Sequence, residues 1–218
     1  MSHNPTILTI GFRLCRGNRA LALGAVLWIG CVAIGLAKLW DYENSPAPAG
    51  HAVRRWPAAA SVARDPSRPT LITFAHPHCP CSRASVRELA RLMARVGTRA
   101  AAYVLFVRPD SVPAGWERTA LWDEAAKIPG VRVTTVDAAQ ARAFGARVSG
   151  ETLLFSADGD LLFAGGITAS RGHEGDNVGR SQVTALLTGA AAAAAPPRRT
   201  SVFGCFLTGD PSPSPAAE

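Results

Sequence analysis

No glycine-rich stretch of this chain ends in Gly-Lys-Ser or Gly-Lys-Thr, so a loop built to cradle nucleotide phosphates is excluded. There is no internal repeat, which excludes a solenoid or an array. Charge is sparse: 18% of the 218 residues are Asp, Glu, Lys or Arg, and aromatic residues make up 7%. The net charge of +7 comes from arginines scattered over helix-like segments with no aromatic residues interleaved among them. That pattern is a solvated surface and a topology signal, and it excludes nucleic acid as the partner. Cysteine is scarce as well. Of Cys15, Cys31, Cys79, Cys81 and Cys205, only Cys79 and Cys81 stand close together in sequence.

The first feature present is an apolar run. Residues 20–40, ALALGAVLWIGCVAIGLAKLW, are apolar except for Lys38. As a helix rising about 1.5 Å per residue, the run spans about 30 Å, the thickness of a bilayer core. Arg13, Arg16 and Arg19 precede it, and the positive-inside rule then keeps residues 1–19 in the cytoplasm and sends the remainder across. Lys38, Arg54 and Arg55 on the other flank weigh against that orientation, while Trp40 and Tyr42 suit the far interface. A cleaved signal peptide is the main rival. It would have a shorter apolar region followed directly by a small-x-small site, where this chain has Lys38-Leu39-Trp40-Asp41. A buried core helix would carry a polar face, and this run has none. The reading is an uncleaved single-pass anchor, with Cys15 and Cys31 as bystanders.

Residues 41–69 follow, rich from position 44 in Pro, Ala and Arg, and read as a tether that holds a domain off the membrane. The folded part is expected over residues 70–189. Strand patterns at Leu71–Ala75, Ala101–Val107, Val131–Val136, Thr152–Phe155 and Leu161–Ala164 alternate with helix patterns at Ala84–Val96, Glu117–Ile128, Ala138–Phe144 and Val178–Leu187. Asp158-Gly159 between the last two strands is a hairpin signal. The order predicts an α/β sheet covered by helices on both faces. Residues 190–218 read as a low-complexity linker, AAAAAAPPRR, then a C-terminal arm and a Pro/Ser-rich tail from Gly209. The arm holds an apolar island, Val202-Phe203-Gly204-Cys205-Phe206-Leu207, which would not float free and is expected to dock back on the domain.

Chemistry concentrates in residues 71–82, LITFAHPHCPCS. Strand-forming residues stop at Ala75, a helical pattern starts at Ser82, and His76, His78, Cys79 and Cys81 fall between. A thiol at the junction of a strand end and a helix start meets the positive end of the helix dipole, which lowers its pKa and makes it reactive. Cys79 is therefore expected to emerge accessible and readily ionised. His76 and His78, protonated, would favour that thiolate. The same four residues also offer two imidazoles and two sulfurs, a donor set suited to copper or zinc.

The element order, with cysteines at the tip of an early strand, resembles the thioredoxin-like superfamily over about residues 70–189. LITFAHPHC looks like that family's strand and active-site approach, with Cys79 at the nucleophile position, and TLLF-SADGD-LLF looks like its final hairpin. More narrowly, HPHCPCSRAS, GGITASRGHEGDN and VFGC together resemble the small RedB-like group. The resemblance implies a central mixed sheet with helices on both faces. Joined to the anchor, it implies a single-pass protein of the bacterial inner membrane whose C-terminal domain faces the periplasm. The cysteines, placed in that compartment, read as those of a thiol–disulfide oxidoreductase acting on protein thiols or disulfides, without a cofactor.

Two departures from the family pattern bear on the chemistry. Cys79-Pro80-Cys81-Ser82 has one residue between its cysteines instead of two and puts Ser82 at the resolving position. Residues 79 and 81 would point roughly 200° apart if both were helical, so a disulfide between them needs a non-helical turn and a strained, readily reduced ring. The family's cis-proline before the final hairpin is also absent. Alignment through Thr152 puts Glu151 there, after Ser149-Gly150, which leaves the sulfur less shielded.

Three functional readings follow. In the first, Cys79 attacks a disulfide and Cys81, or Cys205 from the arm, resolves the product. In the second, His76, His78, Cys79 and Cys81 hold copper or zinc, with His173 nearby; membrane-tethered thioredoxin-like copper chaperones form a general class, though with wider cysteine spacing. In the third, the domain is a non-catalytic interaction module and a disulfide to Cys205 only staples the arm. The loop 165–177 is long, polar and glycine-rich. It either reaches the cysteines, with Arg171 or His173 supplying positive charge and Asp176 or Asn177 capping the last helix, or merely leads into that helix. Trp116 and Trp122 are read as packing residues.

Overall fold

The computed structural model describes residues 16–189 and 196–208. Arg13, Cys15, most of the alanine linker and the tail from Gly209 lie outside the described residues. Two compact units divide the chain between Tyr42 and Glu43. The first holds all but the last two residues of the helix α1 (Arg16–Asn44), which is long and apolar enough to cross a membrane by length and composition. Its apolar side chains, among them Leu21, Leu27, Trp28, Ile34 and Trp40, are exposed, so no protein core takes them up.

The second unit is a six-stranded mixed sheet. Its strands are β1 (Thr70–Ala75), β2 (Ala101–Val107), β3 (Val131–Val136), β4 (Thr152–Phe155), β5 (Leu161–Gly165) and β6 (Arg198–Arg199). They lie in the order β3-β2-β1-β4-β5-β6. β1, β2 and β3 run parallel, whereas β4 is antiparallel to both β1 and β5. This is the central mixed sheet, with helices on both faces, that the sequence implied. β1 is central and buried at every position, which is why it reads as an unbroken apolar run and not as an alternation. Leu71 and Ala75 belong to one core, with α2 (Pro80–Val96), α3 (Ala120–Ala126) and α5 (Val178–Thr188). Ile72 and Phe74 belong to a second core on the opposite face, with α4 (Ala138–Ala143). Gly159 takes φ +91° in the β4–β5 turn, a conformation that favours glycine.

Helices expected over 84–96 and 117–128 appear with altered starts. α2 begins earlier, at Pro80, because proline is pre-shaped for the first helical position and lacks the N–H that would go unpaired there. α3 begins later, because Glu117 is buried where its carboxylate accepts a hydrogen bond from Thr135 (2.9 Å), and Thr119 becomes the cap. β6 lies in the stretch expected to be linker. It continues the sheet parallel to β5, pairing Phe163 with Arg198.

The larger correction concerns residues 44–69. They are bonded to the domain, and the folded part begins before Thr70. Gly50 N–H donates to Glu151 Oε1 (2.7 Å), Trp56 N–H to the Gly159 carbonyl (2.8 Å) and Ser61 N–H to Gln140 (2.7 Å). The Trp56 ring meets Phe144 and Phe155 edge-on, each at 5.2 Å between centroids. A chain rich in proline and alanine has few side chains with which to show a packed face, yet its backbone groups and one indole suffice. Trp56→Ala should destabilise the full chain in detergent by about 2–4 kcal/mol while leaving its secondary structure intact. A loss under about 0.5 kcal/mol on thermal or urea unfolding would show a loose tether instead.

Candidate functional site

Cys79 stands where sequence placed it, between β1 and α2, as the N-cap of α2 with extended backbone (φ −99°, ψ 123°). That conformation removes the obstacle of the short cysteine spacing. Cys79 is not on a helical spoke, so its sulfur and that of Cys81 converge. Cys205 joins them, and the three Sγ atoms lie within 4.8 Å of one another. All three thiols are free, as is Cys31 in α1. Ser82 cannot act as a resolving group, because it is fully buried and its hydroxyl accepts the His76 N–H (2.9 Å).

The sulfur of Cys79 is not accessible as expected: the residue is 5% exposed. The arm covers it. Ser149 N–H donates to the Cys205 carbonyl (2.8 Å), Cys205 N–H donates to Ser149 Oγ (3.0 Å), and Leu207 N–H donates to the Arg147 carbonyl (2.9 Å). Val148 and Phe206 form an antiparallel bridge between these bonds. Gly204 makes the approach possible, since a Cβ there would lie 1.9 Å from the Ser149 carbonyl oxygen. Val202 and Leu207 are buried, so the apolar island docks as expected. Cys205 itself stays exposed, with its Sγ 3.4 Å from Cys79 Sγ.

Glu151 at the family's proline position leaves no gap beside the sulfur. Its carboxylate is buried and accepts N–H groups of Gly50, Arg147 and Val148. Burial raises its pKa and the three amides oppose that rise. The same residue bonds by its carbonyl to Phe74 N–H (2.9 Å), and Gly150 N–H returns to the Phe74 carbonyl (2.7 Å). The loop is thus fixed across the end of β1 and holds Ser149 against Cys79, with 3.4 Å between Oγ and Sγ. Ser149 was not singled out in the sequence. Its one signal there is its place two residues before the expected proline position.

Electrostatics single out one sulfur. The Cys79 pKa falls from 9.0 to about 4, chiefly through a hydrogen bond from the Cys81 thiol, with the Ser149 hydroxyl, the Ser82 amide and the Cys205 thiol adding to it against the cost of burial. Cys81 is pushed far up, first by that shared hydrogen bond and then by burial and the adjacent charge of Cys79. Cys205 is pushed up by burial, then by Cys79. Arg171 opposes both rises. Its guanidinium is held by the Gly204 carbonyl, so the glycine-rich loop does reach the cysteines. The His173 ring Nδ1 lies 2.8 Å from the Arg171 carbonyl, and the residue remains at the surface. Asn177 caps α5 by accepting Arg180 N–H (2.7 Å), and Asp176 pairs with Arg180. Gly175 and Asn177 are also tied to the fully buried Glu88 on α2.

His76 does not take the pKa-tuning part expected of it. Burial lowers the pKa of His76, so it is no source of positive charge for the thiolate. Among the described residues, the donor group near enough to share an ion is Cys79, Cys81 and Cys205, without a histidine. His76 and His78 instead flank Trp116, at 5.2 and 4.7 Å between centroids, so Trp116 belongs to the site and not to the core. Trp122 packs in the core against Phe106, as expected. A groove beside the cysteine is lined by His78, Cys79, Arg83 and Thr119.

No family model matches the chain, and no curated protein matches it in sequence. Solved structures share its fold. An uncharacterized conserved protein from Geobacillus kaustophilus aligns with TM-score 0.56 at 16% identity, over 77% of this chain and 98% of that one. A hypothetical protein from Sinorhizobium meliloti 1021 aligns with TM-score 0.52 at 18% identity, over 73% and 96%. A secreted disulfide oxidoreductase from Mycobacterium tuberculosis aligns at TM-score 0.38 and 11% identity, over 56% and 81%, an agreement too loose to show anything about this chain.

Two outcomes follow from the covered thiolate. Gly204→Ala should lift the arm and speed the reaction of Cys79 with iodoacetamide by about tenfold or more. The rate should stay level between roughly pH 5 and 8 and fall only as the pH approaches the lowered pKa, where an ordinary thiol would climb throughout. Peptide mapping of alkylated protein at each pH checks both.

Proposed function

We propose that this chain is a membrane-anchored thiol–disulfide oxidoreductase of the RedB-like kind, with its domain facing the periplasm and Cys79 and Cys205 as its redox pair. The observation that carries the reading is the 3.4 Å contact between a thiolate at a helix start and a thiol on a docked arm. Cys81 is the nearer residue in sequence, but it serves as the thiol that stabilises the Cys79 anion.

In the oxidised form the pair is a Cys79–Cys205 disulfide. A thiolate of a substrate dithiol attacks the exposed Cys205 sulfur, a substrate–Cys205 bond forms, and Cys79 leaves as the low-pKa thiolate. The second substrate thiolate then attacks the substrate sulfur of that mixed disulfide. The substrate closes its own disulfide, and Cys205 leaves and takes a proton. Two electrons pass to the chain, and a disulfide of higher potential restores the pair. A stabilised thiolate in the reduced form favours this direction.

The test uses the full chain in detergent with a dithiol peptide as substrate. Cys79→Ser and Cys205→Ser should each lower turnover about a hundredfold or more, while Cys81→Ala, which removes the hydrogen bond to the Cys79 sulfur, should slow it about tenfold. Mass mapping after oxidation should show a linked Cys79–Cys205 peptide. A dominant Cys79–Cys81 link would move the partner role back to Cys81, and undiminished turnover in Cys79→Ser would reject the assignment.

A further inference from the structure

We infer that the reduced Cys79, Cys81 and Cys205 form a three-sulfur site for a single copper(I) ion. The ligand set differs from the histidine-containing one that the sequence suggested, and the inference does not depend on the exchange chemistry. Three sulfurs around one ion at about 2.3 Å stand about 4 Å apart. Here the three lie within 4.8 Å of one another and one pair is already at 3.4 Å, so closure on an ion needs shifts of under an ångström. The positions come from three different constraints. Cys79 is fixed as the helix cap, Cys81 by the first turn of α2, and Cys205 by the hydrogen bonds to Ser149 and the close approach at Gly204.

The donor chemistry selects the ion. Thiolates are soft donors and suit copper(I) and zinc. Structural zinc takes four ligands in a tetrahedron, and among the described residues no fourth histidine, cysteine or carboxylate joins the group. Three sulfurs match the lower coordination number of copper(I). Three thiolates and one monovalent cation leave net negative charge, which the Arg171 guanidinium, held at Gly204, and the N-terminus of α2 both offset. Binding changes no oxidation state. The sulfurs donate to the ion, and the protons of Cys81 and Cys205 pass to solvent. A copper-loaded site and a Cys79–Cys205 disulfide exclude each other, because the disulfide leaves neither sulfur as the thiolate that binds the ion.

The full chain, reduced and in detergent without oxygen, is titrated against the copper(I)–bicinchoninate complex, whose colour is lost as copper is withdrawn. The wild type should remove one equivalent. Its copper X-ray absorption should show three sulfur neighbours at about 2.2–2.3 Å. Cys205→Ser should weaken retention at least about a hundredfold. The His76→Ala, His78→Ala double variant should stay within about threefold of wild type. Failure of the wild type to withdraw copper, unchanged retention in Cys205→Ser, loss of copper in the histidine variant, or nitrogen neighbours in the absorption spectrum would each overturn the site. Far-UV dichroism of each variant shows that the fold is kept, and the spectrum of the wild type depends on no variant. Since no disulfide is exchanged in this experiment, its failure leaves the redox reading standing.

Discussion

The clamp of Ser149 on Cys205 is the constraint from which the rest of the site follows. One residue offers its N–H to the arm, accepts the arm's N–H on its hydroxyl, and turns the hydroxyl proton toward the Cys79 sulfur. The hydroxyl can do both because it has one donor and two acceptor positions. Were Ser149 to move, the arm would lose its register and the thiolate would lose a hydrogen bond together. Its own position rests on the buried Glu151 carboxylate, which gathers three backbone amides from two separate segments. A buried carboxylate is tolerated only when so satisfied. The anchoring of the site therefore reaches back to Gly50, in the stretch that sequence composition marks as a tether.

Charge in the cluster is divided unevenly, and the division sets how the reduced fold responds to pH. Cys79 is ionised far below an ordinary thiol, so its contribution to stability is fully present above 9.0, shrinks as the pH falls, and is gone once the pH passes below about 4. Cys81 and Cys205 shift the other way. Their contribution is present below 9.0 and is lost as rising pH forces a second and third charge into the same space. Between these limits the cluster holds one negative charge shared over three sulfurs. The ionised sulfur and its two protonated neighbours thus share one hydrogen-bonded space.

The strands and most helices were legible because their periods are strong. β1 to β5 fall within a residue of the runs that mark them, and Asp158-Gly159 marks the hairpin between the last two. The strand-to-helix position of Cys79 was legible for the same reason. The docking of 44–69 was not, since it uses backbone amides and a lone Trp56, neither of which leaves a periodic trace. β6 was hidden because two arginines carry no strand signal; their pairing is imposed by β5. The histidines misled because closeness in sequence is not closeness in space. His76 and His78 follow an extended strand and turn toward Trp116, forty residues on, while Cys205 arrives from the far end of the chain.

The two departures from the thioredoxin-like pattern compensate for one another. Cys79-Pro80-Cys81 gives up the cysteine one helical turn onward, and Ser82 in its place is committed to the His76 backbone. A second exposed thiol within reach of the first then comes from elsewhere in the chain. Replacing the usual proline by the Ser149-Gly150-Glu151 segment leaves a backbone N–H and a hydroxyl beside the sulfur, and a chain segment that can accept an extended partner. The arm supplies that partner, with Gly204 small enough to close in and Cys205 next to it. The residue lost from the helix and the residue gained from the arm thus serve one sulfur. The arm that brings the second thiol is also the cover that keeps Cys79 from unselective reaction.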